Sequence, residues 1–178
     1  MKKFLFLVVA AAVLGCHPDL SDEPPGGSTF DKTGYRPIYQ SNSEVKNILV
    51  GAPIPLKDPG KIYLFEPYLF INERGKGLHI IDNSDPKNPE NISFISIPAN
   101  FDMAVKGNWL YADNASDLVV LDISDPRLPK VVKRISGAIP AMNYPPYANV
   151  YFECIDTKKG VVTGWEKVNM ETKPACYR

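Results

Sequence analysis

Leu118 Val119 Val120 Leu121 Asp122 Ile123 Ser124 Asp125 Pro126 repeats, forty positions on, the pattern of Leu78 His79 Ile80 Ile81 Asp82 Asn83 Ser84 Asp85 Pro86. The match extends outward in both directions. Pro89 falls on Pro129, and the stretch from Leu69 Phe70 Ile71 to Ile95 falls on Trp109 Leu110 Tyr111 to Ile135. A period of about 40 residues, with short apolar runs between turn residues, is the spacing of a four-stranded propeller blade, in which each unit buries its faces against neighbours. Seventeen prolines and twelve glycines punctuate the chain and favour short strands over long helices, so the expected class is all-β.

Within the repeats the pattern predicts strands at 61–65, 68–72, 77–82 and 92–97, then at 101–105, 109–112, 118–123 and 131–136. Continuous apolar runs such as Leu118 to Leu121 imply burial on both faces, as stacked blades require. His79 stands where the second unit has Val119, which suits a packed or hydrogen-bonded histidine, with a ligand role as the alternative. Each Asp-x-Ser-Asp-Pro segment reads as turn chemistry: Asp and Ser side chains bond nearby amides, and Pro fixes the next φ. A calcium site built from these four carboxylates is the competing reading.

The flanks carry different information. Lys2 and Lys3 precede an unbroken apolar run from Phe4 to Leu14, then Gly15 and Cys16. Eleven residues at about 1.5 Å each are too short to cross a bilayer core, so the run reads as a secretory signal and not as an anchor. Val13 Leu14 Gly15 Cys16 resembles a bacterial lipobox, which implies diacylglyceryl modification and cleavage at Cys16; an ordinary signal peptide with an incidental cysteine is the alternative. Acyl chains hold a domain at a membrane through about 0.8 kcal/mol per buried methylene. The polar, Pro- and Gly-rich stretch that follows reads as a tether. Its Asp22 Glu23 pair suits either export to the cell surface or plain solvation on the periplasmic face.

The resulting organisation is a signal peptide with lipobox at 1–16, a flexible tether at 17–34, an N-terminal segment packing on the repeats at 35–59, repeats at 60–100 and 101–137, and a Pro/aromatic segment with a C-terminal hairpin at 138–178. In the N-terminal segment, Tyr35 to Tyr39 is extended and Ser43 caps one short helix running to Val50. The hairpin expectation pairs 149–156 with 161–168 across a turn at Thr157 to Gly160.

The chain holds 20 basic and 20 acidic residues, and loss of Lys2 and Lys3 leaves 18 basic, which argues against a nucleic-acid partner. Of three cysteines, Cys154 and Cys176 remain after Cys16 and are expected to pair in an oxidising compartment. A metal-binding or redox thiol pair is the alternative, with no C-x-x-C spacing to favour it. No cofactor and no metal site is expected. Tyr144, Tyr147, Tyr151 and Trp165 form a candidate surface for a glycan or protein ligand, or else the packing that covers the open end of the repeats. With no serine beside a plausible base, an enzyme would have to rely on Glu73, Asp113 or Glu153.

The strings at 78–86 and 118–126 resemble the LVIVD repeat of bacterial surface and secreted proteins. Pro59 Gly60 Lys61 Ile62 Tyr63, Tyr151 to Asp156, and Gly160 to Trp165 resemble its lipoprotein branch. The resemblance implies a β-propeller-like fold and brings no catalytic residues with it. Members typically carry more repeats, so two leave sheet faces and edges uncovered. The sequence reading is therefore a non-catalytic, lipid-anchored envelope module that binds or scaffolds. A shortened propeller that assembles with other chains, or has lost function, is the alternative.

Overall fold

The computed structural model describes residues 30–178; the signal segment, Cys16 and the tether as far as residue 29 lie outside the described residues. Among the described residues, thirteen strands form three sheets. In chain order they are β1 (Thr33–Gln40), β2 (Leu49–Gly51), β3 (Pro59–Phe65), β4 (Tyr68–Glu73), β5 (Gly77–Asp82), β6 (Glu90–Ser96), β7 (Met103–Lys106), β8 (Trp109–Asn114), β9 (Asp117–Asp122), β10 (Lys130–Ile135), β11 (Tyr151–Phe152), β12 (Val161–Asn169) and β13 (Cys176–Tyr177), with one helix, α1 (Asn42–Lys46).

The repeats are two antiparallel blade-like sheets, β3-β4-β5-β6 with β2 added at the edge, and β7-β8-β9-β10. Their apolar faces meet in one core. Phe70, Leu78, Ile80 and Ile95 from the first pack with Met103, Leu110, Ala112, Val119 and Leu121 from the second, all under 4% exposed. Apolar surface removed from water stabilises by about 25 cal/mol per Å², so this buried junction holds the two repeats together.

The register refines the forty-residue slide. Glu73 pairs with Gly77 across one turn, whereas Asn114 pairs with Asp117 across the other, so the second turn is one residue shorter. Asp82 sits opposite Tyr68, and Asp122 opposite Trp109. Third strands therefore match at an offset of forty and second strands at forty-one, which aligns Tyr68 with Trp109, Asn72 with Asp113 and Glu73 with Asn114. The inward face of repeat 2, with Val119 and Leu121, then corresponds to the outward face of repeat 1, with His79 and Ile81. Each repeat has a front that meets its successor and a back that meets its predecessor.

Two sequence expectations need correction. The helix is capped by Ser41, not Ser43: Glu44 returns its carboxylate to the Ser41 amide at 2.8 Å while its own amide reaches Ser41 Oγ. It ends at Lys46, and Leu49 to Gly51 instead extend the first sheet against β6. The C-terminal hairpin does not form either. β1 lies between its two strands, antiparallel to β12 from Thr33 opposite Asn169 to Gln40 opposite Val161, and parallel to β11 at Tyr35 and Phe152. The physical reason is pairing length. β12 finds eight partners along β1, whereas residues 153–160 turn through the short 3-10 segment at 157–159 and offer it no ladder. Cys154 is disulfide-bonded to Cys176, with Cα atoms 5.3 Å apart, which ties the last strand into this third sheet.

Candidate functional site

The Asp-x-Ser-Asp-Pro loops are closed internally by their own side chains. Asp82 and Asp122 each accept from the amide and hydroxyl of Ser84 and Ser124, and Asp85 and Asp125 accept from the amides of Lys87 and Arg127. The hydroxyl and then the amide hold both Asp82 and Asp122 below the usual carboxylate range. Four carboxylates turned onto their own loops are arranged as Asx turns, and among the described residues no cluster of metal-ligating side chains forms.

At the opposite end of the repeats the turn β4–β5, the 97–102 link and the turn β8–β9 face the third sheet and the irregular segment 139–147. Phe101 lines two cavities there. One, of about 270 Å³, is bounded by Ile139, Met142, Val161 and Val162, with Asp113, Ser116, Asn143 and Thr157 as its polar groups. The other, of about 370 Å³, is bounded by Arg74, Lys76, Tyr147 and Trp165.

Asp113 is positioned by β8 and held by its neighbours. Its Oδ1 accepts from the amides of Phe101 and Asp102 at 2.8 and 2.9 Å and from Asn100 Nδ2 at 2.6 Å. Burial pushes its pKa up, and the donors from Asp102, Phe101 and Asn100 only partly offset that. Asn100 also accepts from Asn72 Nδ2 at 2.6 Å, so an amide chain links repeat 1 to the carboxylate of repeat 2. A carboxyl of this kind in a mostly apolar cavity can anchor the polar end of a ligand.

Glu73 is fully buried in a different setting. It accepts from the amides of Lys57 and Asp58, both at 3.0 Å, and contacts His79 Nε2 at 3.2 Å. Burial works to raise its pKa, but those two amides, His79 and Lys76 together bring it below the usual range. On its other side His79 Nδ1 meets Asn91 Nδ2 at 3.2 Å, and Asn91 also donates to the Ile54 carbonyl at 2.9 Å. Glu73, His79 and Asn91 thus fasten the 52–58 strap across the back of repeat 1. Glu153, the third carboxylate considered for catalysis, is half-buried on the third sheet with Arg36 Nε at 2.9 Å. The three stand in three separate environments.

The aromatic set divides as well. Tyr147 and Trp165 line the same cavity, and Tyr147 stacks on Tyr35 at 4.8 Å. Tyr144 is 46% exposed under the Arg178 guanidinium, 3.9 Å from its ring centroid. Tyr151 is buried beside Phe30 and Tyr177, on the strand face opposite Phe152, which meets Trp165 edge-on. One continuous surface of all four is therefore not present. Asn72, Asn100 and Phe101 escaped the sequence reading. The signal for Asn72 was a polar pair at the end of each second strand, Asn72-Glu73 and Asp113-Asn114, which comes into line only once the shorter turn is allowed for. Cys16 lies outside the described residues.

A family model for the LVIVD repeat matches residues 59–94 and 100–136, so the chain carries two such repeats; Tyr151 to Trp165 lie outside the match. A search of curated proteins and a search of solved structures found no match.

Proposed function

For a chain built on two LVIVD repeats, we propose a non-catalytic role: a binding or scaffold module held at the bacterial envelope by lipidated Cys16, on the outer membrane's surface or its periplasmic face. The ligand is received at the seam between the repeats and the third sheet. The observation that carries this is the cavity of about 270 Å³, apolar over most of its lining and with few polar groups, Asp113 among them. Such a lining suits a small ligand, or a protein or glycan side group with one polar end. The absence of a catalytic role is supported by the use already made of the carboxylates. Glu73 and Asp113 each hold two main-chain amides, and Glu153 holds Arg36.

The test has two independent arms. Labelled palmitate is expected to enter the wild-type chain and not Cys16→Ser. A small apolar fluorophore is expected to bind the wild type saturably and Ala141→Phe, which fills the cavity, at least tenfold more weakly, a loss of about 1.4 kcal/mol. Palmitate entry into C16S overturns the anchor, and unchanged dye binding in A141F overturns the seam site.

A further inference from the structure

The two Asp-x-Ser-Asp-Pro loops share the bonds that their aspartates accept from Ser84 and Ser124 and from the amides of Lys87 and Arg127, but not their surroundings. In repeat 2, Arg127 reaches back across the junction between the repeats. Its Nη2 lies 2.6 Å from Asp82 Oδ2, its Nε donates to Tyr68 Oη at 3.3 Å, and Pro126 and Pro129 beside it are buried. Tyr68 and Asp82 sit directly opposite one another on the front of repeat 1, so cation, carboxylate and aromatic ring together form a latch between the two repeats.

Among the described residues, half of the same latch is displayed at each outer face of the repeat pair. Lys87 stands where Arg127 stands, and Lys87, Pro86 and Pro89 are all exposed. On the front of repeat 2, Trp109 and Asp122 sit opposite one another as Tyr68 and Asp82 do, and Trp109 is 43% exposed. The apolar surface follows the same polarity. The back of repeat 1 shows Ile62 and Leu64, 61% and 53% exposed, on the part of the face beyond the strap. The front of repeat 2 shows Ile135, 42% exposed, opposite Leu118.

We propose that a second copy of this chain docks head to tail, the back of its repeat 1 on the front of repeat 2, with Lys87 of one copy seated on Trp109 and Asp122 of the other. The complementary halves belong to one chain, and the contact repeats, beyond the strap, the latch that the chain already makes internally, with lysine in place of arginine. The contact is heterologous, and copies joined this way close into rings or extend as filaments. Apolar surface supplies most of the affinity, because an exposed ion pair contributes little by itself. The ion pair and the prolines set the register.

The test uses two differently tagged full-length copies produced together, one carrying Asn88→Cys and the other Asn108→Cys, treated with a short bis-maleimide. Both positions neighbour the latch and leave its charges in place. The mixed adduct is expected to exceed either like-with-like adduct about fivefold, as a heterologous contact requires. Adding Lys87→Glu or Ile62→Asp to the Asn88→Cys copy is expected to lower the mixed adduct severalfold. Both side chains are exposed, so retained β circular dichroism separates loss of contact from loss of fold. A predominance of like-with-like adducts, no mixed adduct, or a yield indifferent to K87E and I62D overturns the proposal.

Discussion

Repeat 1 and repeat 2 present the same face to different neighbours. The back of repeat 2 packs on repeat 1 with Val119 and Leu121 fully buried, while the back of repeat 1 lies partly under the 52–58 strap and carries Glu73, His79 and Asn91. At the matching positions repeat 2 has Asn114, Val119 and Val131. A second sheet offers an apolar surface, because its own strands satisfy its main-chain groups. An irregular strap brings main-chain amides and carbonyls that need partners, and polar side chains on the sheet supply them. At the His79 position repeat 2 has the fully buried, apolar Val119, and repeat 1 departs from it where its cover changes.

Exchanging residues between the repeats tests that reading most severely. Val119→His places an imidazole in the inter-repeat core with no partner and too little room, and is expected to cost about 4 kcal/mol in urea unfolding. Glu73→Ala, which strands two buried amides and His79, is expected to cost about 3 kcal/mol by the same measurement. His79→Val fits a shape that repeat 2 already accommodates, and losing its hydrogen bonds and its contact with the Phe94 ring is expected to cost about 1.5 kcal/mol. In the double variant with Asn91→Val the cost is expected to be less than additive, since both residues serve one strap. Additive costs would mean that the network is not a unit.

The smallest expected effect is in pH dependence. Glu73 titrates below its ordinary 4.5 in the folded chain, so its contribution is present above about pH 4.5 and is lost as pH falls through the folded value. Asp113 titrates above its ordinary 3.8, so its contribution is full below about pH 3.8 and is lost as pH rises through the folded value. Thermal melts between pH 3 and 6 are therefore expected to fall less steeply on acidification for Glu73→Gln and more steeply for Asp113→Asn than for the wild type.

The eight repeat strands were legible in the sequence to within about two residues, because apolar runs bounded by Asp-x-Ser-Asp-Pro and by glycine turns encode them locally. The cap was legible too: Ser41 with Glu44 three residues later is the reciprocal pattern that Ser43 lacks. The place of β1 was not, since alternation along a strand marks it as a strand without naming its partner, here some 130 residues away. His79 was read correctly as a packed or hydrogen-bonded residue, but Lys57 and Asp58 give no sign in the sequence of the carboxylate they contact. At the seam, Tyr147 and Trp165 come together across the fold, while Tyr151 turns away because adjacent strand residues face opposite sides.

The insertion of β1 between β11 and β12 also fixes an order of events. The repeats are ladders between neighbours in sequence, which close quickly, whereas Thr33 meets Asn169 only after the intervening chain has been made. Among the described residues, the first strand synthesised is thus among the last to be paired. Until β12 is available, β1 presents two bare edges, and in that interval the nascent chain is most open to pairing with the wrong partner.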